Sequence, residues 1–133
     1  MKNGNGSQKN CIVIAEDDDL TGELIEAVAA RPGRQVLRAN DGEAALRLIR
    51  EHQPQLVVLD LFIPIRGGME VLRLARKEGD PKRPRVLVLS AQGQLGTEEE
   101  ARRSGADDFL AKPFIPGELA ARIDRLLGKE AVQ

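Results

Sequence analysis

Cys11-Ile12-Val13-Ile14-Ala15-Glu16-Asp17-Asp18-Asp19 is an apolar run that stops abruptly in four acids. A continuous β-branched run without polar alternation is what a strand covered on both faces requires, because a strand with one wet face would alternate. The signature returns at Leu56-Val57-Val58-Leu59-Asp60 and at Val86-Leu87-Val88-Leu89-Ser90, which predicts three central strands. Val36-Leu37, between Gln35 and Arg38, and Phe109-Leu110, before Ala111, are shorter with more polar borders and suit the sheet's edges. Between these runs apolar residues recur at three and four: Leu20, Leu24 and Val28; Ala45, Leu46 and Ile49; Met69, Leu72 and Ala75; Leu119, Ile123, Leu126 and Leu127. A weaker helix is expected over 97–104, with Glu98-Glu99-Glu100 at the positive end of the dipole and Arg102-Arg103 near the negative end, a charge run that reads as a solvated face. Arg31-Pro32-Gly33, Gly79-Asp80-Pro81, Gly105 and Gly128 supply stops. Strict alternation of strands and helices implies right-handed crossovers: a three-layer α/β domain with a five-stranded parallel sheet flanked by five helices.

The chain's 133 residues allow one ordinary domain. Residues 1–10, all polar or glycine apart from Met1, read as a flexible tail; 11–128 form the domain, and 129–133 a short C-terminal tail. With 20 basic and 21 acidic side chains there is no excess charge to draw the protein onto a phosphate backbone, so direct nucleic-acid binding is disfavoured. Three Phe and no Trp or Tyr make stacking platforms for flavins, sugars or single-stranded bases hard to build. Cys11 is the only cysteine, which excludes an internal disulfide. No stretch looks like a signal peptide or approaches the roughly 18 apolar residues of a membrane helix, so the expected location is the cytoplasm, with no membrane partner.

In an open parallel sheet the carboxyl ends of the strands face one crevice, where sites form. Here those ends carry Glu16-Asp17-Asp18-Asp19, Asp60, Ser90 and Lys112-Pro113. Asp19 is expected to cap the following helix. Glu16, Asp17 and Asp60 would bring three carboxylates together, and two of them about 4 Å apart repel by roughly 4 kcal/mol at an effective dielectric near 20. A divalent cation relieves this, and an all-oxygen donor set favours Mg²⁺. Lys112 would add a fixed positive charge. Spacing alone leaves a structural ion cluster open beside the metal site.

Ile12-Val13-Ile14-Ala15-Glu16-Asp17-Asp18, Leu59-Asp60-Leu61-Phe62-Ile63-Pro64, Val88-Leu89-Ser90-Ala91 and Gly105-Ala106-Asp107-Asp108-Phe109-Leu110-Ala111-Lys112-Pro113-Phe114 closely resemble the receiver domain of bacterial two-component response regulators. The resemblance covers about Cys11 to Gly128. It implies a flavodoxin-like sheet ordered 2-1-3-4-5 and a phosphoacceptor at Asp60. It also implies Mg²⁺ held by Asp17, Asp60 and the Phe62 carbonyl, with Glu16 acting mostly through water. Ser90 would bond the phosphoryl group, Lys112 would pair with it, Phe109 would be the switch aromatic, and Lys112-Pro113 would be a cis peptide. The sequence departs from the pattern in three places: Glu16 for the commoner aspartate, Gly67-Gly68 for Asp-Gly, and Phe109 for the frequent tyrosine. Phe62 and Gln92 would flank the approach of hydrolytic water.

Two enzyme-like or binding alternatives fail on particular residues. A haloacid-dehalogenase-type phosphohydrolase needs a second acid two residues after its nucleophile, where Phe62 stands; a flavodoxin-like nucleotide site needs a phosphate-welcoming first loop, where four acids stand. His52, the only histidine, ends an amphipathic helix and reads as solvated. The expected function is a phosphorylation-controlled switch in a two-component phosphorelay, not an enzyme beyond its own phosphoryl transfer and dephosphorylation, with no output domain after Gly128. Its expected partners are a histidine kinase or histidine phosphotransfer protein. A downstream protein or a second copy would meet the face formed by residues 92–111 and the last helix around Arg122 and Arg125.

Overall fold

The first apolar run forms β1 (Asn10–Ala15), and its alternate side chains go to opposite sides of the sheet. Ile12 and Ile14 pack with Ile25, Leu119 and Ile123, while Val13 and Ala15 pack with Leu46, Ile49, Val71 and Leu72. Both faces are therefore apolar, which is why the run shows no alternation. A computed structural model describes residues 10–76, 84–91 and 96–128. After β1 the order is α1 (Asp19–Ala29), β2 (Arg34–Ala39), α2 (Gly42–His52), β3 (Leu56–Asp60), α3 (Gly68–Ala75), β4 (Arg85–Ala91), α4 (Thr97–Arg103), β5 (Asp108–Lys112) and α5 (Pro116–Leu126). All pairings are parallel and the sheet order is β2-β1-β3-β4-β5, so the two short runs do lie at the edges. α1 and α5 cover one face; α2, α3 and α4 cover the other.

Several expectations shift. β1 begins at Asn10, one residue ahead of Cys11. The buried face of α1 is Gly22, Ile25 and Ala29, not Leu20, Leu24 and Val28: Leu20 is 79% exposed and Leu24 also faces solvent, with only Val28 partly packed. The N-cap of α1 is Asp18, whose carboxylate accepts from the Thr21 N–H at 2.8 Å, while Asp19 pairs with Arg38. A cap side chain must reach the N–H three residues on, and Asp18 has the extended backbone that allows it. α4 forms as expected with its three glutamates exposed, and His52 is exposed at the end of α2. Gly79-Asp80-Pro81, residues 92–95 and the two tails 1–9 and 129–133 lie outside the described residues.

The register fixes the edge where the strands end. Asp60 pairs with Leu89 and Ser90 with Ala111, which sets Asp60, Ser90 and Lys112 within a residue of one level. The turn leaving β3 is tight: the Gly68 N–H donates to the Leu61 carbonyl at 3.1 Å, and a Cβ at Gly68 would lie 2.5 Å from Leu61 Cα. Only glycine lets α3 start that close to the segment following Asp60.

Candidate phosphoacceptor and cation site

Glu16, Asp17 and Asp60 each place a carboxylate oxygen within 4.8 Å of the others. Glu16 and Asp60 are buried and Asp17 is exposed, so the cluster has a closed floor and an open rim. Lys112 bridges the floor, donating to Glu16 Oε1 at 2.8 Å and to Asp60 Oδ2 at 3.2 Å. The Phe62 N–H donates to Asp60 Oδ1 at 3.0 Å, and the Asp18 N–H to Glu16 Oε2 at 3.1 Å. Each oxygen of both buried carboxylates thus has a donor, the condition under which burying charge is tolerable.

Burial pushes the Glu16 carboxyl above its ordinary value and the Asp60 charge pushes the same way, together outweighing the pull of Lys112 and the Asp18 N–H. For Lys112, burial alone would lower the ammonium's pKa, but the Glu16 bond and the Asp60 and Glu16 charges raise it. Lys112 therefore remains a cation across the physiological range. The donor set is all oxygen, with two carboxylates deep and one at the rim, which suits a hard divalent cation such as Mg²⁺.

Ser90 Oγ is fully buried and, among the described residues, has no hydrogen-bond partner. Such a hydroxyl costs on the order of 1–3 kcal/mol until something accepts or donates to it. Phe109 pairs with Val88, two positions back along the strands from Ser90, and packs half-buried against the cluster that contains Val88 and Ala101. Phe62 is 59% exposed at the rim. The Lys112-Pro113 peptide is cis.

The structure also brings in residues that sequence reasoning did not assign. Buried Asp108, at the start of β5, accepts from Arg122 of α5 at 3.0 Å and Arg125 at 3.1 Å, with Arg102 of α4 at 3.6 Å. Burial alone would raise its carboxyl; the Phe109 N–H and the Arg122 and Arg125 contacts hold it below the usual value instead. These groups line a polar cleft of about 540 Å³ beside β5. Arg38 of β2 reaches the β1–α1 loop through contacts to Glu16, Asp18 and Asp19. The acidic doublet Asp107-Asp108 ahead of an edge strand was a visible signal for the first; nothing local marks Arg38.

Comparison with known proteins agrees with the geometry. The family described as Response regulator receiver domain matches residues 12–124. The probable transcriptional regulator ycf27 of Porphyra purpurea is 36% identical over 121 residues, covering 91% of this chain and 49% of that protein. The Francisella response regulator 1452 receiver domain superposes with a TM-score of 0.80 at 30% identity, covering 91% of this chain and 98% of that one. The receiver domain of the sensor histidine kinase PA1611 of Pseudomonas aeruginosa PAO1, whose structure has a magnesium ion coordinated in the active-site cleft, gives 0.78 at 28% identity, covering 90% and 98%. The chain spans about half the length of the curated relatives it matches, and several of these are named as transcriptional regulators, so they lend no support to the expectation of a protein without an output domain. Among the described residues no helix is long and apolar enough to cross a membrane. On this sheet order, this convergence of acids with Lys112 and a family match across nearly the whole described chain, the protein belongs to the receiver domains of two-component response regulators.

Proposed function

We propose that this receiver takes a phosphoryl group on Asp60 from the phosphohistidine of a histidine kinase or phosphotransfer protein in the cytoplasm, and that its enzymatic capacity is confined to that transfer and the later hydrolysis. The observation that carries the reading is the Asp60 carboxylate itself: buried, fixed at Oδ1 by the Phe62 N–H and at Oδ2 by Lys112, and set among oxygen donors. One Asp60 oxygen attacks phosphorus, the bond from phosphorus to the partner's imidazole nitrogen breaks, and that nitrogen keeps the electron pair. Mg²⁺ held by Asp17, Asp60 and the Phe62 carbonyl, with Glu16 acting through water, would neutralise charge on the phosphoryl oxygens. Lys112 swings its ammonium from the two carboxylates to the new phosphoryl, and Ser90 supplies the hydroxyl that has no partner among the described residues. Exposed Leu20, Phe62, Ile65 and Ile115, all on helix starts or loops at this edge, offer an apolar rim for the phosphodonor. Labelling by acetyl phosphate with and without Mg²⁺ tests the site as a whole.

The lifetime of the phosphorylated state should be set in part by Phe62. Its side chain offers no hydrogen bond to orient an attacking water, so self-dephosphorylation is expected to be slow. Phe62→Asn should shorten the half-life by several-fold, less than the roughly 10²–10⁴ of a full general base because an amide orients water without taking its proton. A decay as slow as wild type, followed by intact mass, would count against this role.

Output is proposed through the face of α4, β5 and α5, to a downstream protein or a second copy. α4 has seven residues, starts at Gly96 without a side-chain cap, and buries Ala101 alone. An element so lightly anchored is the one a modest bias can move. A hydrogen bond from Ser90 to a charged oxygen contributes roughly 1.5–3 kcal/mol, short of the about 5.5 kcal/mol that converts 1:99 into 99:1. Lys112 and inward packing of Phe109 supply the remainder. Beryllofluoride should therefore change hydrogen exchange across α4 and β5; changes confined to the segment around Asp60 would remove this face from consideration.

A further inference from the structure

The loop between β1 and α1 carries two of the three clustered carboxylates, and its backbone is held from β2. The Glu16 N–H donates to the Ala39 carbonyl at 3.0 Å. The preceding residue, Arg38, extends across the loop: Nε donates to the Glu16 carbonyl at 3.3 Å, and Nη2 to the Asp18 carbonyl at 3.5 Å and to Asp19 Oδ1 at 3.0 Å. Nη1 lies 3.9 Å from Glu26 Oε1. The Asp19 carboxylate is 86% exposed, so that ion pair alone contributes little. The Arg38 side chain is only 14% exposed, and its contacts with two main-chain carbonyls cost it water that a surface pair would keep.

Its seat exists because α1 contains Gly22. A Cβ there would lie 2.2 Å from Arg38 Cζ, 2.5 Å from Nε and 2.6 Å from Nη1. Glycine inside a helix is unfavourable relative to alanine, and Gly22, the fourth residue of α1, has no positive φ to require it; the three atoms nearest its missing Cβ all belong to Arg38. The glycine makes sense as the floor under the guanidinium.

We propose that Arg38, seated on Gly22, is a positioning residue for the cation site: its fork fixes the Glu16–Asp19 backbone so that the Glu16 and Asp17 carboxylates converge on Asp60. The inference rests on the reading of that cluster as the Mg²⁺ and phosphoacceptor site. Arg38 acts at second hand, as do the outer partners of other metal ligands, whose loss typically weakens binding by 10–100-fold.

Substituting Arg38 alone mixes two effects, since Asp19 and Glu26 would then stand unneutralised and attract a cation. Gly22→Ala keeps every charge and displaces only the guanidinium. Mn²⁺ affinity, read from the electron paramagnetic resonance signal of the free ion, should fall about tenfold in Gly22→Ala, while the melting temperature holds or rises because alanine favours the helix. In an Arg38→Ala background the same change should alter affinity by less than about twofold, because nothing remains to be displaced. Arg38→Lys, which keeps the charge but not the fork, should also lose several-fold and serves if Gly22→Ala folds poorly. Wild-type affinity in Gly22→Ala, or an equal loss in both backgrounds, overturns the role of Arg38. A wild-type chain that binds no Mn²⁺ overturns instead the reading of the site on which it rests.

Discussion

Incubated with acetyl phosphate and Mg²⁺, the wild-type chain is expected to gain one phosphoryl group and Asp60→Asn none. The substitution is isosteric, so the Phe62 N–H still finds an oxygen and the buried position stays filled. What disappears is the anionic nucleophile; Glu16, the other buried carboxylate, is also held at both oxygens but is less accessible than Asp60. Fold stability should change little: an amide NH₂ replaces the oxygen that met Lys112, but Lys112 keeps its bond to Glu16. Two carboxylates about 4 Å apart repel by roughly 4 kcal/mol at an effective dielectric near 20, and Asn removes that repulsion against Glu16. Intact mass and thermal melting decide: an Asn variant labelled like wild type would take the acceptor role away from Asp60.

Lys112→Ala is the second large effect. Removing one partner of a buried ion pair generally costs 3–5 kcal/mol, because the remaining charge is left uncompensated. Lys112 retains some solvent access, so a loss of about 3 kcal/mol in Mg²⁺-free buffer is expected for this pair. Two conditions should restore stability. Millimolar Mg²⁺ supplies the missing positive charge. Acid does so as well: burial already raises the Glu16 pKa above its unfolded value, so the folded state binds a proton more tightly and stability climbs as pH falls through that raised value toward 4.5. Above it, with Glu16 ionised in both states, the deficit is full. Phosphorylation should still occur on Asp60, yet beryllofluoride should no longer alter exchange across α4 and β5. Urea melts showing the same deficit with and without Mg²⁺ would mean that Lys112 is not the countercharge described.

The strands were legible because each central one is apolar on both faces, and the site because parallel strands must end at one edge. Residues 16, 17, 60, 90 and 112 needed only that rule to be grouped. The helix faces were harder. In α1 the stripe Leu20, Leu24, Val28 competes with Gly22, Ile25, Ala29, and a reading by side-chain size chooses the leucines. The sheet instead accepts the small stripe and leaves Leu20 exposed. The cap was ambiguous for a similar reason, since Asp17, Asp18 and Asp19 are chemically alike and only backbone direction separates them. Arg38 was silent, and the partners of Asp108 were hidden behind a visible acidic doublet, because both sets of contacts join separate elements. Arg38 reaches a loop about twenty positions earlier, and Asp108 gathers arginines from two helices.

The fit of Arg38 over Gly22 constrains the order in which descendants of this sequence can change. A side chain acquired first at position 22 collides with the guanidinium, whereas loss of the arginine first removes that collision. The two sites should therefore covary among relatives, glycine at the first accompanying arginine at the second, and mutational paths between the two states should run predominantly through position 38.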